Sequence, residues 1–156
     1  MSTKVVAATL SVTISEGITL NGIARGSSTT MDIASIGEIS NRIMSISNAT
    51  NGTDIVDIST AASAGTYSKT AVKYMRLTNL DDTNYIIIMF TDGDGAGSGS
   101  HAWELKLEAG KSLVIGDTSS IDNQADIDSF SATAIAKVVG LANTAACDLE
   151  VFIAST

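Results

Sequence analysis

The chain has 156 residues and a formal charge of −8 at pH 7, from seventeen acidic and nine basic residues. This length suits one domain, residues 1–156, that buries roughly two-thirds of its unfolded surface. Since no window concentrates Lys or Arg, we expect no nucleic-acid partner, and the same negative field would repel an anionic membrane surface. No segment reaches the ~20 apolar residues of a membrane span, and the first residues lack a secretory h-region. We therefore expect a soluble protein made in the cytoplasm.

The composition favours a surface with few charges. Charged residues make up 17% of the chain, below the globular norm of about 25%, and small polar residues fill the difference. Such a surface suits a subunit that neighbours cover, since Ser and Thr cost less to desolvate than Lys or Glu; it is equally typical of a small β domain with Thr-rich strands. Proline is absent, so no proline blocks a strand edge. Cys147 is the only cysteine, which excludes an internal disulfide, and we expect it to pack in an apolar strand.

The first third of the chain predicts strands separated by polar turns. An alternating strand runs over Val5–Ile14, and a shorter apolar run, Ile18–Ile23, leads into a polar loop over Arg25–Thr30. The isoleucines between Met31 and Ile46 keep a nearly helical spacing. We nevertheless predict a strand over Ile39–Ser47, because Ile is stiff and Ser is a poor helix former; a short helical turn over 31–37 is the alternative.

A central β-hairpin is predicted over residues 72–90, where two apolar runs flank the polar tetrad Asp81–Asn84. Both parities of the second run are apolar, which indicates a strand covered on both faces of a sandwich. A turn over Asn48–Gly52 and a strand over Asp54–Ile58 precede it, followed by a loop over residues 60–70.

The last third predicts a second hairpin and a final pair of strands. The second hairpin pairs an alternating strand from Trp103 with Leu113–Ile115. Glycine-rich residues 92–100 and acidic residues 117–128 are predicted loops, and the final strands are Phe130–Ala142 and Cys147–Ala154. Eight or nine strands suffice for an all-β sandwich. A jelly roll is the first choice, with an immunoglobulin-like or other Greek-key sandwich as the alternative.

A cation site is the strongest candidate for a ligand. Asp92 and Asp94 stand two apart in a glycine-rich turn, as at the start of a calcium loop, although the closing ligands of an EF-hand are missing. Further ligands could come from a second loop, through Asp117, Asp122, Asp126 and Asp128. Ca²⁺ is therefore the one candidate cofactor, and solvated acidic loops are the alternative.

The remaining polar and aromatic candidates favour structural roles. His101 is the sole histidine, and no nucleophile motif accompanies it, so we predict no enzyme. Asp81 and Asp82 are predicted to shape a turn rather than to act as paired catalytic carboxylates. We expect Trp103, the single tryptophan, in the core.

The stretch VKYMRLTNLDDTNYIIIMF at 72–90, followed by WELKLEAGKSLVIG at 103–116 and CDLEVFIAST at 147–156, resembles small β-sandwich virion proteins of tailed phages, particularly marine ones. The resemblance covers about half the chain and transfers no functional site. It implies that Asn79–Asp81 and Leu107–Lys111 shape turns. It also implies a capsid decoration or cement protein of the virion, with the major capsid protein or other virion subunits as partners. We expect a homo-oligomer, and a trimer would match threefold positions on a shell. The alternative is a tail, fibre or host-surface module that binds glycans through its loops.

Overall fold

The computed structural model describes residues 6–59, 63, 65–68, 70–91, 102–116 and 135–156. Strands dominate these residues, and no helix occurs among them. The strands are β1 (Ala8–Ser15), β2 (Thr19–Leu20), β3 (Ile23–Ala24), β4 (Ser28–Ile36), β5 (Glu38–Ile46), β6 (Thr53–Ser59), β7 (Thr66–Ser68), β8 (Val72–Asn79), β9 (Ile86–Thr91), β10 (Ala102–Leu107), β11 (Ser112–Gly116), β12 (Lys137–Ala142) and β13 (Cys147–Ser155).

Two sheets form a sandwich with jelly-roll strand order, which confirms the first choice of fold. One sheet has the order β11-β8-β13-β5 and the other β10-β9-β12-β6-β7. Leaving aside the short β7, the eight strands from β5 onward pair first with last, second with seventh, third with sixth and fourth with fifth. This nested antiparallel pairing is that of two interlocked Greek keys.

Both predicted hairpins are wrong, because their strands belong to different sheets. β8 pairs with β11 and β13, whereas β9 pairs with β10 and β12. The connection β10 to β11 also crosses the sandwich, as do β5 to β6 and β12 to β13. Each connection is an arch, in which the flanking strands turn their apolar side chains towards one another instead of sharing hydrogen bonds. Leu77 and Ile88 accordingly lie in one buried cluster.

The core lies between the two sheets. Its largest side chain is Phe90, and the aliphatic residues around it come from both sheets, among them Ile46, Leu77, Ile86, Leu149 and Val138. Cys147 is buried here, as predicted. On β9 the inward row of side chains is buried, whereas in the outer row Ile87 and Met89 are half-buried and only Thr91, at the strand end, is buried. The prediction that both faces of this strand are covered is therefore wrong for its outer face.

Residues 8–36 form a long hairpin, here called the arm, that packs on the outer face of the four-stranded sheet. β1 pairs with β4 along its length, and β2 pairs with β3 beyond them. Ile33 and Ile36 are buried against Tyr74 and Ala154 of the sheet. The predicted polar loop over Arg25–Thr30 is thus wrong from Ser28 onward, where β4 begins.

A β-bulge explains why residues 31–37 have a nearly helical spacing without forming the alternative helical turn. Ala8 pairs with Ile36 and Leu10 with Ile33, so two residues of β4 stand opposite one of β1. Ser35 takes the left-handed conformation at φ 63°. The extra residue turns Ile33 and Ile36 to the same side although they are three apart. The predicted strand over Ile39–Ser47 is confirmed as β5.

Candidate assembly surfaces

The predicted cation ligands Asp92 and Asp94 lie outside the described residues. The same holds for His101 and for Asp117, Asp122, Asp126 and Asp128. The described strand ends that flank both stretches, at Thr91, Ala102 and Gly116, lie at one end of the sandwich, opposite the arches. The calcium site therefore stays a prediction.

Asp81 and Asp82 shape the arch between β8 and β9. One carboxylate oxygen of Asp81 accepts hydrogen bonds from the backbone N–H groups of Thr83, at 2.8 Å, and Asn84, at 2.6 Å. These bonds favour the charged carboxylate and lower the pKa of Asp81 below its ordinary value. The Asp82 carboxylate accepts the hydroxyl of Thr83 at 2.9 Å. Both groups are thus engaged in the turn, as predicted from their residue types.

Asn79 joins the two segments on which the resemblance depends. Its buried amide Nδ2 donates to Asn84 O at 2.8 Å and to Leu107 O at 3.2 Å, and its Oδ1 accepts the N–H of Asp81 at 3.0 Å. Its backbone N–H bonds Lys111 O at 3.0 Å. The motifs around 79–81 and 107–111 are therefore neighbours that build one end of the sandwich.

Trp103 lies at the surface, so the prediction that it belongs to the core is wrong. Its ring packs on Phe90, with centroids 5.3 Å apart, but 49% of the residue is exposed. The cause is its position on β10, the edge strand of the five-stranded sheet, near the strand end. Tyr74, by contrast, is buried beneath the arm against Phe152, and burial raises the pKa of its hydroxyl.

The tip of the arm is a tight two-residue hairpin. Leu20 pairs with Ile23, and between them Asn21 and Gly22 have φ angles of 52° and 75°. Positive φ at both central residues is the requirement of a type I′ turn, for which Asn-Gly is the favoured sequence. Asn-Gly between two apolar residues is the sequence signal of this hairpin, and it divides the run Ile18–Ile23 into two strands that the apolar pattern alone does not separate.

Gly26 holds the tip against the shaft of the arm. A Cβ atom at this position would collide with the backbone carbonyl of Glu16. The close approach allows Glu16 N–H to bond Ser27 O at 2.7 Å and Arg25 N–H to bond Ile18 O at 2.8 Å. Backbone hydrogen bonds on either side of Gly26 therefore connect the β2–β3 tip to the longer β1–β4 part of the arm.

The apolar side chains of the arm become more exposed from its base to its tip. Ile33 and Ile36 at the base are buried, whereas exposure is 36% at Met31 and 55–57% at Ile14 and the tip. We call the exposed set the arm surface; it consists of Ile14, Ile18, Leu20, Ile23 and Met31. Contiguous exposed apolar groups of this size mark interaction sites more often than ordinary surface.

A second exposed apolar group lies on β5, the edge strand of the four-stranded sheet. Ile39 is 57% and Ile43 65% exposed, and both point to the outer face. We call these two residues the β5 surface. The middle of the same face is more polar, because Arg76 lies over the ring of Phe152 and forms an ion pair of 3.0 Å with Glu150. The arm surface and the β5 surface are thus separate.

The outer face of the five-stranded sheet carries a third apolar group, here called the sheet depression. Ile87, Met89, Val139 and Leu141 line a shallow hollow of about 170 Å³ together with Glu104 and the turn around Gly52. All four apolar side chains are half-buried. This group faces away from the arm, because the arm packs on the other sheet.

The charge is distributed unevenly between these surfaces and the rest of the chain. Residues 6–46, which contain the arm and β5, have three acidic and two basic side chains, whereas the whole chain has a formal charge of −8. Nearly all of the net negative charge therefore lies elsewhere. The arm and β5 surfaces are nearly neutral parts of an acidic protein.

The described residues form no metal cluster, and the chain matches no known protein in the comparisons made. Within the part of the chain that the structure describes, no group of three or more His, Cys, Asp or Glu side chains could hold a metal ion. No helix of those residues is long and apolar enough to cross a membrane. Comparison with protein-family models, curated protein sequences and solved structures finds no match to this chain.

Proposed function

We propose that this chain is a non-enzymatic virion structural protein, a decoration or cement protein that stabilises a phage head through multivalent contacts with the major capsid protein. The proposal starts from the resemblance of the segments 72–90, 103–116 and 147–156 to phage virion proteins. The jelly roll is compatible with it, since the fold is used in viral capsids among other proteins. A fold alone carries no function, so the support has to come from the surfaces.

The observation that carries the proposal is the presence of apolar surface on both outer faces of one small sandwich. The arm and β5 surfaces lie on the side of the four-stranded sheet, and the sheet depression lies on the opposite side. A protein with two such sides can contact a shell subunit through one and further subunits through the other. Many modest contacts of this kind stabilise an assembly through effective concentration, without one tight site.

We assign the shell contact to the sheet depression, because this side carries apolar groups without the projecting arm. Replacing Met89 and Leu141 by Gln keeps similar volumes and removes apolar contact. The double variant should bind stripped particles at least about tenfold more weakly than the parent chain. Leu80→Thr is the matched control, since Leu80 is an exposed apolar residue at the arch end.

The decisive experiment is the copy number of the chain relative to the major capsid protein, from quantitative mass spectrometry of purified particles. A shell-wide component should be present in on the order of hundreds of copies. A copy number of a few tens or fewer would move the assignment to the tail or a fibre. Absence of the chain from the particles would refute the virion role.

A glycan-binding module of a tail or fibre is the second candidate, and the exposure of Trp103 favours it. The indole is half-exposed on an edge strand and supported from below by Phe90. An aromatic face presented in this way can stack on an apolar partner. Binding on a glycan array that disappears in Trp103→Ala would support this candidate over the shell role.

A further inference from the structure

We infer that the arm surface of one copy packs on the β5 surface of the next copy, so that the chain closes into a head-to-tail ring. The inference rests on the homo-oligomeric part of the proposed function and identifies its interface. Its test uses the purified chain without particles, so its failure would leave the shell contact standing.

The arm runs across its own sheet towards one edge. At its base, Gly37 links the arm to β5, and Ile33 and Ile36 pack against β8 and β13. Farther along, Met31 reaches Gly116 of β11, where a Cβ atom would lie 2.6 Å from the Met31 Cε. β11 is the last strand of this sheet. The arm therefore crosses from the β5 side to the β11 edge, and its tip lies beyond that edge.

The arm surface continues the side of the arm that covers its own sheet. Leu10 and Val12 pack on the sheet, and Ile14 follows them at two-residue spacing, so it points to the same side. Beyond the β11 edge this side has no sheet of its own molecule to cover. The β5 surface lies on the same outer face, at the opposite edge. A neighbour placed edge to edge would thus bring its Ile39 and Ile43 under Ile14 and the tip.

This contact joins two different surfaces and therefore repeats from copy to copy. A heterologous contact of this kind gives a closed ring when the rotation between copies closes, and a filament when it does not. Seven apolar side chains contribute, each at least 36% exposed: Ile14, Ile18, Leu20, Ile23, Met31, Ile39 and Ile43. Counted over both partners, their exposed area is about half of the roughly 1,600 Å² in total that a standard interface buries, so they form its apolar part and flanking polar residues supply the rest.

The charge distribution favours a second copy as the occupant. Two copies with a formal charge of −8 each repel one another over most of their surfaces. Residues 6–46 carry a formal charge of only −1, from three acidic and two basic side chains. An apolar contact between near-neutral surfaces avoids that repulsion, so it should persist at low salt, where repulsion between the acidic parts is strongest.

Two variants and their mixture test the contact by native mass spectrometry and sedimentation velocity. The tip variant combines Leu20→Thr with Ile23→Thr, and the β5 variant combines Ile39→Thr with Ile43→Thr. All four side chains are exposed and Thr suits strands, so both variants should fold like the parent. The parent chain should form one closed oligomer, and each variant alone should associate about 30-fold or more weakly. Leu80→Thr should leave the oligomer unchanged.

The mixture identifies which surfaces meet. The β5 variant retains an intact arm and the tip variant an intact β5 surface, so an equimolar mixture should form one-to-one heterodimers that neither variant forms alone. If the β5 variant still forms the parent oligomer, the arm does not bind β5. A mixture that stays monomeric, or a parent chain that is monomeric at about 100 μM, would also overturn the inference.

Discussion

Replacement of Asn79 by Ala should be among the most damaging single polar substitutions in this protein. The side chain is fully buried and makes three hydrogen bonds, to Asn84 O, Leu107 O and the N–H of Asp81. Alanine would leave all three backbone groups without this partner, and Leu107 is itself buried. At about 1–3 kcal/mol for each buried group left unpaired, and with partial access of water at the arch, we expect a loss of about 3–5 kcal/mol. Such a loss is a large part of the 5–15 kcal/mol that is usual for a domain.

The assay is urea unfolding followed through the fluorescence of Trp103, the only tryptophan. A change of midpoint at constant slope would report the loss of stability. The control is Asn48→Ala, because the amide of Asn48 also donates to a backbone carbonyl of another arch, Thr144 O at 2.7 Å, but Asn48 is exposed. Its removal should cost less than about 1 kcal/mol. A loss below about 1 kcal/mol for Asn79→Ala, or equal losses for both variants, would refute the reasoning.

Asn79→Asp separates the donor role from the volume of the side chain. The carboxylate would face two carbonyl oxygens and could not donate to either, so the charged form is disfavoured and the folded-state pKa of the new carboxyl group would be raised. A raised pKa means that stability is recovered as the pH falls through it, when the protonated group regains one donor. We expect this variant to gain stability from neutral pH towards about pH 4. A parallel decline in variant and parent would contradict the donor role.

Three further outcomes are expected from the core and the arch. Phe90→Ala should lower the free energy of unfolding by about 3–5 kcal/mol, because this ring is the largest fully buried side chain among the described residues. A loss below about 1 kcal/mol in calorimetry would contradict this. Asp81→Asn should weaken the pH dependence of stability in acid. The pKa of Asp81 is lowered in the folded state from its ordinary value of about 3.8, so the charged carboxylate stabilises the fold above that pH, and this contribution is lost as the pH falls through the folded-state pKa. Unfolding curves between about pH 2 and pH 5 that shift equally with pH in parent and variant would exclude this contribution. Cys147 is buried and its thiol pKa is raised by that burial, so a thiol reagent should label it only after unfolding; rapid labelling of the native protein would show that the site opens readily.

Most strands could be predicted from the sequence, because alternation and β-branched residues act within each strand. The partners of the strands could not. Turn formers such as Asp81–Asn84 favour a change of direction, but a hairpin and an arch use the same residue types. The choice depends on distant contacts, such as the bond from Asn79 to Leu107 O and the pairing of β8 with β13. The residue pattern within a single strand or turn does not indicate which distant strand it contacts.

The candidate surfaces were harder to predict than the strands, because exposure is decided by what covers a residue. Ile14 and Leu10 have the same parity in β1, yet Leu10 packs on the sheet and Ile14 does not. Side chains three apart in a strand normally point to opposite faces, but the bulge at Ser35 turns Ile33 and Ile36 to the same face. Trp103 follows the parity of a core residue but stands at the end of an edge strand. In each case the exposure of the side chain depends on where its strand lies in the fold more than on the pattern of its sequence.

The nested strand order delays folding of the protein during its synthesis on the ribosome. β5 enters the four-stranded sheet only by pairing with β13, with Glu38 opposite Ser155. Because β13 also separates β5 from β8, that sheet cannot close until β13 has left the exit tunnel. Pairings so distant along the chain form slowly, and unpaired strand edges are prone to aggregation while they wait. A nascent chain of this kind should depend on chaperones until β13 has emerged, and deletion of β13 should abolish folding, because this strand joins β5 to β8.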